Sequence, residues 1–264
     1  RGVLVLGGAA LASTGSADID ITGTATAGDD VDFENTVTIG GATSAGNIDI
    51  NADSLRMQTA VNVRSTGALT IAPRTANTAI NLGTGATDAG LQLDDSELAF
   101  LTDGFSSITI GDAATGTGTI TVNASTFNDN VTIIGGPITV DGALGVTGTT
   151  TLTAGGAVAI NAGVTLSGDL DITATDTAAA GEDVDIAAGV TVQSSGGSIT
   201  IDAGDDFLMA AGSVLNAITT ITVNVDSGDA DAGTGATADL GGTFTSAGAT
   251  VASAGDDDTF NVNA

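Results

Sequence analysis

The segment Ser107-Ile108-Thr109-Ile110 is followed, after eight intervening residues, by Thr119-Ile120-Thr121-Val122, and these two segments contain the pattern that decides the fold. In each segment, β-branched apolar residues alternate with serine or threonine. This is the pattern of a β-strand that has one face in a core and the other in water. Similar segments recur along the chain at 18–21, 36–39, 47–50, 68–71, 137–140, 198–201 and 221–223. The sequence therefore predicts many short, half-buried strands.

The residues between these segments are mainly Gly, Ala, Ser, Asp and Asn, which favour tight turns. Apolar residues at the 3.6-residue spacing of a helix are not sustained anywhere in the chain. The best helical candidate is 94–101, where an acidic first turn is followed by three apolar residues. We therefore expect about twenty strands and at most one short helix.

Two architectures fit such a chain, an array of β-sandwiches or a β-solenoid. The short Gly-rich turns, the irregular spacing of the strands and the aromatic content of only 3% favour the solenoid, because a sandwich core is normally built around larger aromatic residues. We predict a single continuous parallel β-solenoid over 1–264, as a segment of a longer chain. At about 20 residues and 4.8 Å per coil, it would have roughly 13 coils and a length near 60 Å.

An internal repeat supports this prediction, since residues 18–57 align with 169–209. Within the repeat, Gly28-Asp29-Asp30-Val31-Asp32-Phe33 matches Gly181-Glu182-Asp183-Val184-Asp185-Ile186, and the two methionines of the chain occupy matching positions. Repeats of this kind indicate units that stack on one another.

The composition excludes several classes of function. The chain has 32 acidic residues against 4 arginines, a net charge of −28, and no Lys, His, Cys, Tyr or Trp. Histidine-dependent triads, thiol nucleophiles, His/Cys zinc sites and lysine Schiff bases are therefore excluded. The negative charge repels nucleic acid and anionic lipid, so neither is a predicted partner. The most apolar stretch at the start, residues 2–12, is too short to span a membrane, and we expect no membrane insertion.

A longer motif resembles a known family. Gly90-Leu91-Gln92-Leu93-Asp94-Asp95-Ser96-Glu97-Leu98-Ala99-Phe100-Leu101 leads into Ser107-Ile108-Thr109-Ile110-Gly111-Asp112-Ala113 and then Gly118-Thr119-Ile120-Thr121-Val122. This resembles the filamentous-haemagglutinin-like family of giant bacterial surface repeat proteins, in which a Leu-x-Leu-x-x-x-Glu-Leu segment precedes an Ile-Gly strand and an Ile-Thr-Val strand. The tail at 254–262 resembles the Gly-Asp-Asp-Thr-Phe repeats of the same chains.

The resemblance implies a right-handed parallel β-helix, secretion, and a structural or adhesive role at the bacterial cell surface. It also implies partners of two kinds, which are other copies or neighbouring segments of the same surface protein, and glycans of the host or cell surface. Our leading hypothesis is a non-enzymatic, stiff acidic rod. The alternative is a self-assembling filament, sheath or surface-layer subunit that stacks end to end.

A third hypothesis, a polysaccharide-active β-helix enzyme, rests on fold analogy alone. Paired carboxylates can hydrolyse glycosides. However, the chain lacks the Tyr, Trp, His and Lys side chains that sugar sites commonly use, and its seven phenylalanines are better explained as core residues. We predict no catalytic and no cofactor-binding residues.

Acidic clusters are the candidate chemistry that remains. There are four of them: Asp29, Asp30 and Asp32; Glu182, Asp183 and Asp185; Asp226, Asp229 and Asp231; and Asp256, Asp257 and Asp258. Calcium takes several oxygen ligands, often from carboxylates on turns. None of the clusters fits an EF-hand loop, since Leu240 stands where Glu is required when Asp229 is taken as position 1. We interpret the clusters as solvated turn residues, assign no metal ligand, and keep calcium as the alternative.

Three of the four arginines lie close together in the sequence. Arg56, Arg64 and Arg74 would either form a patch that docks on an acidic surface of a neighbouring copy, or make local salt bridges, for example with Asp49 or Asp53.

Overall fold

The computed structural model describes residues 1–13, 15–86, 90–114, 116–178, 180–228, 230, 235–254 and 258–262. Every pairing between its strands is parallel, and strands that pair are usually three places apart in the chain. This arrangement arises when a chain winds repeatedly around one axis. The structure therefore confirms the predicted all-β, parallel β-solenoid.

The elements are numbered in chain order. The first eight strands are β1 (Val3–Val5), β2 (Ala10–Leu11), β3 (Ile19–Thr22), β4 (Val31–Phe33), β5 (Thr38–Gly40), β6 (Ile48–Asn51), β7 (Leu55–Met57) and β8 (Asn62–Arg64). The next elements are β9 (Leu69–Ala72), β10 (Ile80–Leu82), β11 (Leu91–Leu93), helix α1 (Asp95–Leu98), β12 (Ile108–Gly111), β13 (Ile120–Val122) and β14 (Ser125–Phe127). The following windings contain β15 (Val131–Gly135), β16 (Ile138–Val140), β17 (Leu144–Val146), β18 (Thr150–Ala154), β19 (Val158–Ile160), β20 (Val164–Leu166), β21 (Leu170–Ala174), β22 (Val184–Ile186) and β23 (Thr191–Ser194). The last strands are β24 (Ile199–Asp202), β25 (Phe207–Met209), β26 (Val214–Ala217), β27 (Thr220–Val225), β28 (Thr237–Leu240), β29 (Thr243–Thr245), β30 (Gly248–Ser253) and β31 (Thr259–Val262).

Three stacked sheets form the faces of the solenoid. The long sheet has ten strands in the order β3-β6-β9-β12-β15-β18-β21-β24-β27-β30. The second sheet has nine, in the order β11-β10-β13-β16-β19-β22-β25-β28-β31, and the third has six, in the order β14-β17-β20-β23-β26-β29. In the first windings, two three-stranded sheets, β1-β4-β7 and β2-β5-β8, take the places of the second and third sheets.

The core is a set of columns in which residues from successive windings lie on one another. In the long sheet, Ile110, Ile133, Leu152 and Ile172 are consecutive ladder partners, and each is almost completely buried. The neighbouring column of the same sheet, which includes Thr132, faces outward and is partly exposed. The alternation read from the sequence therefore separates an aliphatic interior from a threonine-rich surface.

The number of windings is smaller than the predicted thirteen, since the long sheet contains ten strands. Some windings do have the assumed length, because Thr150 pairs with Val131, 19 residues earlier. Others are longer, since Ile48 pairs with Ile19, 29 residues earlier. Ten strands about 4.8 Å apart give the long sheet a height of roughly 43 Å, against a predicted length of about 60 Å. The face formed by the sheets of three and nine strands is taller than the long sheet.

The longest winding contains the helix predicted at 94–101. Asp94 is the N-cap of α1, its side chain accepts from the amides of Ser96 and Glu97, and the side chain of Glu97 accepts from the amide of Asp94. This reciprocal capping box explains why so short a helix forms. Leu101, which follows the helix, makes a parallel bridge with Val63.

None of the described residues belongs to a helix of the length and hydropathy needed to span a bilayer.

Glu97 also closes the edge of a neighbouring sheet. Its Oε1 accepts from the amide of Met57 in β7, the edge strand of its three-stranded sheet, at 2.7 Å. The side chain is buried, with 7% exposure. Burial, together with the negative charges of Asp94 and Asp29, raises the pKa of Glu97 to about 7.

This raised pKa predicts a stability that falls as the pH rises. Because the folded state holds the Glu97 proton more tightly than the unfolded chain, its contribution is complete below pH 4.5 and is lost as the pH passes 7. The expected loss is about 3 kcal/mol. Thermal unfolding followed by circular dichroism between pH 5 and pH 8 should show a smaller change for Glu97→Gln than for the natural chain. Equal changes in the two proteins would contradict the assignment.

Thr150 is an imperfection in the aliphatic stack. It lies between Val131 and Leu170, it is fully buried, and its hydroxyl has no hydrogen-bond partner within the described parts of the chain. We predict that Thr150→Val raises the free energy of unfolding by about 1 kcal/mol, because the isosteric side chain has no polar group to desolvate. Thr151→Val, on the outward face of the same strand, is the control and should change stability by less than about 0.5 kcal/mol. A destabilised Thr150→Val chain would show that the hydroxyl has a partner.

Candidate functional site

Three carboxylates from two successive windings meet at one corner of the solenoid. Asp176 and Glu182 lie in the connection between β21 and β22, and Asp205 lies in the next connection of the stack, between β24 and β25. One carboxylate oxygen from each of these residues lies within 4.8 Å of the other two. We call Asp176, Glu182 and Asp205 the acidic corner.

Backbone amides hold two of these side chains in place. Oδ2 of Asp205 accepts from the amides of Gly181 and Glu182, at 2.5 and 2.9 Å. Oδ2 of Asp176 accepts from the amide of Ala230 at 2.7 Å. Gly228 allows this approach, because a Cβ at its position would lie 2.5 Å from Asp176 Oδ2 and its φ of +141° disfavours other residues. The carboxylates are therefore positioned by the fold.

Glu182 is the most buried member of the acidic corner, with 6% exposure. Its carboxyl group receives a hydrogen bond from Thr177, but its Oε2 is buried and has no hydrogen-bond partner among the residues that the structure describes. The same is true of Oδ1 of Asp176. Burial, and then the charges of Asp205, Asp176 and Asp183, raise the pKa of Glu182. The corner thus holds two buried oxygen atoms for which the described part of the chain provides no donor.

A cleft of about 330 Å³ opens beside the acidic corner. Asp183, Asp205, Asp206 and Asp226 contribute to its lining. All of these side chains offer carboxylate oxygens as metal ligands. The chemistry that the cleft can offer is therefore the binding of a hard cation.

The first copy of the internal repeat has a related cluster, but there the charges are paired. Arg56 makes an ion pair with Asp29 at 2.9 Å and a second, short contact with Asp32. Arg1 also contacts Asp32, at 2.9 Å. Asp32 is fully buried, so these two guanidinium groups supply its counter-charge.

Within the described residues of the second copy, no ion pair is equivalent to this one. Asp32 lies opposite Arg56 in the ladder of β4 and β7, whereas Asp185 lies opposite Leu208 in the ladder of β22 and β25. The two copies therefore place an arginine and a leucine at the same structural position.

The other predicted acidic residues have separate roles. Asp30 accepts from the amides of Ala25 and Asp53, and Asp183 accepts from the amide of Asp206. The carboxylates of Asp30 and Asp183 therefore link turns of neighbouring windings by hydrogen bonds. Asp226 is buried, and its amide donates to the carbonyl of Asp205 at 3.3 Å.

Part of the predicted set lies outside the described residues. This applies to Asp229, Asp231, Asp256 and Asp257. Asp258 is described, and its Oδ1 accepts from the amide of Ala236 at 2.8 Å. Asp176 and Asp205 were missed by the sequence reasoning, because Asp176 is isolated in the sequence and neither residue belongs to a cluster aligned by the repeat.

The arginines do not share one surface. Arg56 lies in β7, Arg64 in β8 on a different sheet, and Arg74 in the connection after β9. The alternative of local salt bridges is correct for Arg56, but its partners are not the predicted Asp49 or Asp53. Asp53 accepts instead from the amide and hydroxyl of Thr75 and the hydroxyl of Thr78.

Comparison of the chain with models of protein families, with curated proteins and with solved structures found no match. The resemblance to the filamentous-haemagglutinin-like family therefore stays a prediction.

The ion pair between buried Asp32 and partly exposed Arg56 yields a prediction with a matched control. Arg56→Gln should lower the free energy of unfolding by about 1–2 kcal/mol, because Asp32 then keeps Arg1 alone as its cation. Arg64→Gln changes the net charge equally, but Arg64 makes no ion pair within the described ranges, and the loss should stay below about 0.5 kcal/mol. Urea unfolding measures both. Equal effects would show that overall charge, and not the pair, is responsible.

Proposed function

We propose that this chain is a non-enzymatic structural and adhesive segment of a secreted bacterial cell-surface protein, in which it acts as a stiff acidic rod. The observation that supports the proposal best is the long sheet. Its ten parallel strands run from Ile19 to Ser253 without an interruption in the ladder. A rod of this kind can hold an adhesive region at a fixed distance from a cell.

Two physical features support stiffness. Hydrogen bonds between neighbouring strands run along the axis of the stack, so that bending the rod would distort many of them together. The buried side chains form one continuous cluster from Ile21 to Ala238. Because each winding covers the apolar side chains of the next, no winding can leave the stack without exposing its neighbours.

The surface suits an exported spacer. A net charge of −28 keeps separate rods apart, and polar side chains alternate with the buried ones along most strands. The location at a bacterial surface rests on the resemblance of residues 90–122 and 254–262 to giant surface proteins.

A second candidate function, end-to-end assembly of copies of this chain, is favoured by the apolar residues of the end windings. Leu4 and Leu6 are 41% and 58% exposed in the first winding, and Phe260 and Val262 are 44% and 74% exposed in the last. β1 and β31 are edge strands of their sheets, and an edge strand can pair with a strand of a second copy. A second copy offers the complementary surface.

Small-angle X-ray scattering and sedimentation velocity of the purified chain test the proposal. Ten windings span about 43 Å, which is close to the diameter of a compact domain of this length, so the shape and not the maximum dimension is the readout. A rod should give an asymmetric pair-distance distribution with a narrow cross-section, and a symmetric distribution would contradict the rod.

Concentration-dependent growth into long fibres would favour end-to-end assembly instead. In that case, the double variant Leu6→Asp and Val262→Asp should abolish growth. Thr165→Asp is the control, because Thr165 is exposed on β20, in the middle of the third sheet and away from both end windings.

A further inference from the structure

We infer that the acidic corner of Asp176, Glu182 and Asp205 binds one Ca²⁺ ion, which ties two successive windings of the solenoid together. Asp176 and Glu182 belong to one winding and Asp205 to the next. An ion held by all three would join connections that are otherwise linked by hydrogen bonds, among them those from the amides of Gly181 and Glu182 to Asp205. The inference does not depend on the proposed rod function.

The first argument is the buried oxygen of Glu182. Buried carboxylate oxygens ordinarily have a hydrogen-bond donor or a cation beside them. Oε2 of Glu182 is buried and has no donor within the described chain, and the residue as a whole is 6% exposed. Oδ1 of Asp176 is also buried and also has no donor among the described residues, although Asp176 as a whole is half-buried. Both residues belong to the group of three whose ligand atoms lie within 4.8 Å of one another, and a cation among those atoms would supply the missing partner.

The second argument is the absence of a basic residue from residues 75–264 of the sequence. Three carboxylates this close repel one another unless a positive charge lies between them. In the first copy of the repeat, Arg56 pairs with Asp29, the residue that aligns with Glu182. In the second copy, Leu208 occupies the position of Arg56, so no arginine stands at the equivalent position and we assign the counter-charge of the acidic corner to a cation from solution.

The type of ligand points to calcium. The acidic corner offers carboxylate oxygens without nitrogen or sulfur, which suits the hard divalent cations. Three carboxylates exceed the one or two that magnesium sites generally use, since Mg²⁺ keeps most of its water. Ca²⁺ accepts irregular geometry and six to eight oxygens, so water would complete the shell.

Calorimetric titration of the full chain with CaCl₂ tests the inference, after chelator treatment and in about 0.15 M salt to screen non-specific attraction to the acidic surface. We expect one site, with a Kd of about 10⁻³ M or tighter, and a higher melting temperature with Ca²⁺ than with chelator. Glu182→Gln should weaken binding by roughly tenfold or more, since affinity depends on the number of charged ligands. Asp20→Asn is the matched control, because it removes one negative charge from an exposed position in β3 and should leave the affinity unchanged.

Two further variants keep the inference falsifiable if Glu182→Gln folds poorly. Asp176→Asn should weaken binding as Glu182→Gln does. Leu208→Arg restores the arginine of the first repeat, and should raise the melting temperature in chelator and reduce the additional gain from Ca²⁺.

Three results would overturn the assignment. They are the absence of a saturable site, equal weakening by Asp20→Asn and Glu182→Gln, and a response to MgCl₂ as strong as the response to CaCl₂. A Leu208→Arg chain with an unchanged calcium response would show that the site does not act through counter-charge.

Discussion

The stacking of aliphatic side chains from successive windings is the interaction on which the rest of the structure depends. Column residues such as Ile133, Leu152 and Ile172 lie on one another because parallel pairing keeps each strand in register with the next. A slip of one residue would turn every inward side chain outward, so the burial of the column and the register of the ladder enforce each other. Connections of very different length are tolerated because they lie outside this stack.

Acidic residues concentrate at connections, where the stack leaves them access to water or to backbone amides. Several of them, including Asp30 and Asp183, accept from amides of an adjacent winding and so contribute to stacking. Asp32, which is buried, is instead neutralised by arginines that occur only in the first part of the chain. The acidic corner of the later windings also contains a buried carboxylate, Glu182, but the described residues provide no ion pair for it. This contrast between two copies of one repeat supports the calcium inference.

The winding that contains α1 shows how the stack accommodates an interruption. The helix is too short to persist alone, and its capping box uses Glu97 both at its own N-terminus and at the edge of β7. β7 is the edge strand of its sheet, so the amide of Met57 donates to the carboxylate of Glu97 and not to the carbonyl of a neighbouring strand. The consequence is a buried acid with a raised pKa in a region otherwise held by backbone pairing.

The local pattern of the sequence was sufficient to predict the all-β class, the strands at the alternating segments, the short helix near 94–101 and the solenoid, because alternation at period 2 states which side chains enter the core. The number of strands was underestimated, since the structure describes thirty-one and about twenty were expected. It also excluded whole classes of chemistry, since residues that are absent cannot act. The number of windings was not predictable, because turn composition does not show how long a connection becomes before the chain returns to the stack. The acidic corner and the contact between Glu97 and Met57 were decided by the tertiary structure alone. Asp205 reaches Asp176 across 29 positions of sequence, and only the register of neighbouring windings determines which distant residues meet.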